Sequence, residues 1–187
     1  MPIPTIAVDG FDVAVEVAGP DKGAVVVLLP AAQQAPAAYA GLCERLHTAS
    51  LKTVIVGPDP RVAANTVVGV LDELDIGWAL LVGDRFGAEL AWELAATRLD
   101  RFTGLVVIDR GHPRVADLAG VIRNENCPPV ELSTTALVST NAAETVAKAT
   151  QQFVYGDYRI VELLGRRHDV DSTAQLAAEI VMRSSSW

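Results

Sequence analysis

Trp78-Ala-Leu-Leu-Val-Gly-Asp-Arg-Phe-Gly-Ala-Glu-Leu-Ala-Trp-Glu-Leu-Ala95 is the stretch that decides how this chain is read. Trp78 to Val82 is an apolar run short enough for a buried strand. Leu90, Ala91, Leu94 and Ala95 fall on one face of the helix that follows, read over 88–99. Between them lies Gly83-Asp84-Arg85-Phe86-Gly87, with a glycine two positions to either side of Arg85. A strand that turns sharply into a helix brings two backbones together, and glycine at both flanks removes the Cβ atoms that would collide. The central side chain, here Arg85, is then thrust out at the carboxyl end of the sheet.

Outward from that corner, apolar runs and helical patterns alternate. Toward the amino end, residues 3–8 and 12–17 alternate around Asp9-Gly10, a hairpin signal. Residues 24–29 form a continuous apolar run, read as a buried parallel strand. Residues 37–49 have helical spacing, with Tyr39, Leu42, Cys43 and Leu46 on one face. A strand over 52–56 and a helix over 64–74 follow, with Asn65 as candidate N-cap. Toward the carboxyl end come a strand over 102–108, an irregular connection over 110–129, a strand over 134–138, a helix over 142–152, a strand over 158–164 and a helix over 172–182. Strands alternating with helices predict a mostly parallel sheet covered on both faces, an α/β three-layer sandwich.

The 187 residues are read as one domain, half of them hydrophobic, enough for a sizeable core. A net charge of −8 argues against nucleic acid and anionic membranes as partners. With no long apolar run and no basic, apolar leader, a cytoplasmic location is expected. Cys43 and Cys127 lack metal-ligand spacing and are read as free thiols. His47, His112 and His168 are not spaced for a metal, and neither a dinucleotide fingerprint nor a Walker loop is present, so no metal or cofactor is expected. Trp78 and Trp92 fall on packing faces and are expected in the core.

The strand, sharp turn and helix, followed by Arg101-Phe102-Thr103-Gly104-Leu105-Val106-Val107-Ile108-Asp109, resemble the α/β-hydrolase family, in which this turn is the nucleophile elbow. The resemblance extends over nearly the whole chain. It implies a sheet of about eight strands and a triad ordered nucleophile, acid, histidine. At the nucleophile position stands Arg85, and a guanidinium cannot act as a nucleophile. Asp84 lies one residue early relative to relatives with an aspartate nucleophile; its alternative reading is a solvated or helix-capping carboxylate. His168, after the last strand, stands where the family places its general base. No aspartate follows the 134–138 strand, where Ser139-Thr140-Asn141-Ala142-Ala143-Glu144 is found. Asp109 is the alternative acid, either orienting His168 or pairing with Arg85 or Arg110. The oxyanion loop is replaced by Pro30-Ala31-Ala32-Gln33-Gln34, leaving the amides of Ala31, Ala32 and Phe86 as donors. Residues 111–129 stand where many members insert a helical cap, and they are too few to build one.

Three functions follow from the resemblance, the last of them a purely structural subunit with its open pocket face buried in an oligomer. The first is a non-catalytic protein of this fold that binds a small ligand or a partner. The second is a hydrolase of esters or related small substrates, working through Asp84, Asp109 and His168. Arg85, at a helix N-terminus that already favours negative charge, calls for an anion beside it. That anion is either an internal carboxylate (Asp109, Asp84 or Asp59) or a bound carboxylate or phosphate held with the Phe86 and Gly87 amides. Without a cap, the carboxyl edge of the sheet exposes apolar surface, so a homo-oligomer is expected, with Val115, Leu118, Val121 and Ile122 as contact residues.

Overall fold

A computed structural model describes residues 3–166 and 168–185. The strands are β1 (Thr5–Val8), β2 (Phe11–Ala18), β3 (Ala24–Leu29), β4 (Leu51–Val56), β5 (Ala79–Asp84), β6 (Phe102–Ile108), β7 (Thr134–Val138) and β8 (Tyr158–Glu162). They form one eight-stranded sheet in the order β1-β2-β4-β3-β5-β6-β7-β8. β1 and β2 make an antiparallel hairpin in which Val8 pairs with Phe11. Asp9 and Gly10 turn it at φ 54° and 85°, the doubly positive turn that matches strand twist. β2 is also antiparallel to β4, and every other pairing is parallel.

The helices are α1 (Ala40–Thr48), α2 (Ala64–Glu73), α3 (Phe86–Thr97), α4 (Asn141–Thr150) and α5 (Val170–Ser184). A 3₁₀ turn, Pro36–Tyr39, leads into α1. The central strands are apolar on both sides, as strands covered by helices on each face must be. On one face Val26, Leu28, Leu80 and Val82 pack against Leu42 and Leu46 of α1 and Ile180 of α5. On the other, Val27, Leu81 and Val107 pack against Val67, Ala91, Trp92 and Ala147 of α2, α3 and α4.

Three expectations are corrected. The N-cap of α2 is Ala63, in extended backbone, and Asn65 lies inside the first turn. Thr66 takes up the free amide there, accepting from Ala63 N at 3.1 Å and donating to Asp9 Oδ2 at 3.0 Å. Trp92 is fully buried, but Trp78, just ahead of β5, is 56 % exposed. Helix α3 begins at Phe86, directly after Arg85 rather than at Ala88. The β6–β7 connection contains no helix, and no described helix is long and apolar enough to cross a membrane.

Candidate functional site

The corner at Arg85 is built by its glycines. A Cβ on Gly83 would stand 2.5 Å from Ala88 Cα, and one on Gly87 would run into the carbonyl oxygen of Leu29. Strand β5 and helix α3 can therefore meet only if both positions lack a side chain. Arg85 takes φ 49° and ψ −104°. Its amide donates to Ile108 O at 3.0 Å, and its carbonyl accepts the Ala88 amide at 3.0 Å. Such a backbone costs a non-glycine residue about 1–3 kcal/mol. The side chain is exposed and makes no ion pair or hydrogen bond among the described residues.

The internal counterion expected for Arg85 is thus not found among the described residues, because each named carboxylate is engaged elsewhere. Asp59 pairs with Arg61 at 2.7 Å. Asp109, at φ 56°, accepts from Ser139 N at 2.8 Å and from Ser139 Oγ at 2.5 Å, tying the end of β6 to the end of β7. Arg110 is not on the Asp109 carboxylate either; it donates to Glu89 at 3.1 Å and to the Asp109 carbonyl oxygen at 2.9 Å.

Asp84 is neither solvated nor a helix cap. Its side chain follows Leu80 and Val82 on the face of α1 and α5 and is fully buried. The Tyr39 hydroxyl donates to Asp84 Oδ2 at 2.7 Å and accepts the Ala31 amide at 3.0 Å. One of the amides assigned to the oxyanion loop is therefore already bonded to a phenol. Ala32 remains exposed, and Phe86 and Gly87 open α3, where amides lack intrahelical acceptors.

His168, exposed and at φ 60°, sets its ring edge-on to Tyr39, with centroids 5.1 Å apart. His168, Tyr39 and Asp84 share a crevice of about 30 Å³, room for about one water. Asp109 makes no hydrogen bond to His168. At the position after β7, Thr140 caps α4 by accepting from Ala143 N at 3.0 Å, and Glu144 pairs with Lys148 at 2.9 Å. The structure thus brings Asp84 and His168 together through Tyr39 and leaves Asp109 with Ser139.

The large cavity lies elsewhere and was not foreseen from the residue pattern. It has a volume of about 480 Å³ and lies beside α3, between the β4–α2 connection and the β6–β7 connection. Phe86 and Gly87 reach it, whereas Arg85, Asp109 and His168 do not line it. The β6–β7 connection is held over it by charge: Arg110 and Arg123 converge on Glu89 Oε1 at 3.1 and 2.8 Å. Beneath, His112 is fully buried, accepting the Arg114 amide at Nδ1 and donating from Nε2 to Pro128 O at 2.8 Å. That pair of bonds defines a neutral ring, and burial pulls its pKa below the usual imidazole value. Cys43 and Cys127 are buried free thiols. Burial, and after it the Glu93 carboxylate, push Cys127 up to about 11.

No family model matches the sequence, and no curated relative does. Solved structures do. The enol-lactonase of Burkholderia xenovorans LB400 superposes with a TM-score of 0.79 at 14 % identity, covering 98 % of this chain and 100 % of that one. Epoxide hydrolase A of Mycobacterium thermoresistibile gives 0.79 at 11 %, covering 98 % of each chain. An α/β hydrolase of Sphaerobacter thermophilus DSM 20745 gives 0.73 at 18 %, covering 97 % and 100 %. With the strand order and the two-sided core described above, these similarities establish that the chain has the α/β-hydrolase fold.

Proposed function

We propose that this protein is a non-catalytic representative of the α/β-hydrolase fold that binds a small ligand. One observation carries the reading: the corner keeps the strained backbone that projects a nucleophile, and the residue projected is the guanidinium of Arg85. The strain would serve no purpose if the side chain had no task at the carboxyl edge. The surrounding groups support the same conclusion, since Asp109 is bonded to Ser139 and the crevice shared by Asp84 and His168 has a volume of only about 30 Å³. The ligand that suits Arg85 is a small carboxylate or phosphate, held also by the Phe86 and Gly87 amides. The protein works as a homo-oligomer in this reading.

The test has two arms. A fluorophosphonate probe and a panel of short nitrophenyl esters should give no labelling and no rate above buffer; either signal overturns the reading. Inorganic phosphate and acetate, titrated by NMR, should shift the amides of Phe86 and Gly87 in the wild type and not in Arg85→Ala.

A second reading, ester hydrolysis through Asp84, Asp109 and His168, has one observation in its favour, the approach of His168 and Asp84 to the same Tyr39. An ester rate abolished by His168→Ala would establish it.

A further inference from the structure

Helix α3 presents two faces. Ala88, Ala91, Leu94 and Ala95 are buried against the sheet. Phe86, Glu89, Leu90 and Glu93, at successive spacings of three, one and three, share the opposite face and line the large cavity. The remainder of its wall is largely apolar, with Leu29, Val56, Val62 and Val115 among the contributors. A volume of about 480 Å³ lies within the range of small-molecule sites, roughly 300–1,000 Å³.

The charges on that wall are mostly spoken for. Glu89 receives both Arg110 and Arg123, Arg123 also approaches Asp117 at 3.5 Å, and Asp59 is held by Arg61. Glu93 differs. Its carboxylate makes no ion pair or hydrogen bond among the described residues, and it shares the cavity wall with Cys127, whose thiol is held protonated by burial first and by this carboxylate after it. Both cavity arginines are committed, so the uncompensated charge facing this space is negative. A molecule entering it meets an apolar wall and one free carboxylate.

We propose that this cavity binds an apolar molecule bearing a single ammonium group, which sits against Glu93. An anionic ligand would meet guanidiniums already paired with Glu89, and a neutral one would leave Glu93 unpaired. The net charge of −8 draws cations toward the protein as a whole. The site adjoins the anion site assigned to Arg85, with Phe86 and Gly87 at the boundary of the two, and it extends the ligand-binding reading with a chemistry of opposite sign.

Three probes of matched size test it: 2-phenylethylamine, 2-phenylethanol and 3-phenylpropanoate, titrated into the full chain by calorimetry at low salt. The amine should bind about fivefold or more tightly than the alcohol, the scale of one partly exposed charge contact, and the carboxylate most weakly. Glu93→Gln, a change at an exposed position, should bring the amine down to the affinity of the alcohol and leave the alcohol unchanged. Leu90→Trp should fill the cavity and remove both. Equal binding of amine and alcohol, preference for the carboxylate, an amine affinity indifferent to Glu93→Gln, or no binding of any probe at millimolar concentration would each overturn the proposal. Failure of the non-catalytic reading would show separately, as fluorophosphonate labelling or ester turnover.

Discussion

Tyr39 and Asp84, 45 positions apart, are joined by a hydrogen bond of 2.7 Å within the buried layer under α1. The same hydroxyl satisfies the Ala31 amide, so a single phenol links the loop after β3, the entry to α1 and the end of β5. Tyr39→Phe keeps the ring and removes both bonds. It should lower stability to urea by about 1–3 kcal/mol, the range for stripping a partner from buried polar groups. A variant as stable as the wild type would mean that the relay does not hold these elements together.

Arg85→Gly should act in the opposite direction. Arg85 gains no contact among the described residues, and its φ of 49° and ψ of −104° suit glycine better. Relief of strain should raise stability by about 1 kcal/mol, less the greater entropy of an unfolded glycine. A loss of stability on denaturant titration would show that the guanidinium has a partner in solution.

Arg85→Ser puts the expected atom at the corner, yet no esterase activity should result. Asp109 is engaged by Ser139, and His168 is placed edge-on to Tyr39 rather than on the Asp109 carboxylate. A serine without an oriented base is a weak nucleophile at neutral pH. Burst-phase release of nitrophenol by this variant would refute the assignment of these carboxylates to structural bonds.

His112 should make stability depend on pH. Burial lowers its folded pKa below the unfolded value of 6.5, so the unfolded chain binds more protons between the two. Its contribution is complete above pH 6.5 and is lost as the pH falls from there toward the folded value. Melting temperatures measured between pH 7.5 and pH 5 should fall more steeply for the wild type than for His112→Gln. Parallel slopes would assign the acid sensitivity to other groups.

The fold was legible because its determinants are local. The limits of the β3 run are those of the apolar stretch 24–29, and Gly83 and Gly87 announce the corner by their spacing alone. The site was legible only in part. Arg85 and Asp109 directly follow strand ends and His168 lies in the loop after the last strand, where order along the chain fixes position. What each side chain bonds depends on partners far away in sequence, as Asp84 on Tyr39, and no periodicity encodes that. Trp78 reads as core by composition, but it precedes the strand and its ring lies largely in solvent. The cavity was missed because the α3 face that lines it alternates apolar and acidic residues and resembles an ordinary solvated surface.

Self-association is expected through the β6–β7 connection. Leu118, Val121 and Ile122 are 64 %, 52 % and 44 % exposed, whereas Val115 is partly buried and belongs to the cavity wall instead. Sedimentation at tens of micromolar, on the order of ordinary assay concentrations, should find oligomer, and Leu118→Glu with Ile122→Glu should return monomer. A wild type that sediments only as monomer would remove the oligomer from the functional reading.

The convergence of Arg110 and Arg123 on one oxygen of Glu89 has a consequence for chain entropy. The two arginines bracket the solvent-facing part of the β6–β7 connection, so that one carboxylate on α3 closes a loop that has no helix of its own. Closure entropy grows only with the logarithm of loop length, and Glu89→Gln should therefore barely move the global unfolding midpoint. What it should change is the free energy of local opening. Amides between Asp117 and Arg123 would exchange hydrogen faster while those of the sheet keep their protection. The roof of the cavity would then open and close independently of the sandwich beneath it, and a single acidic side chain would set how often.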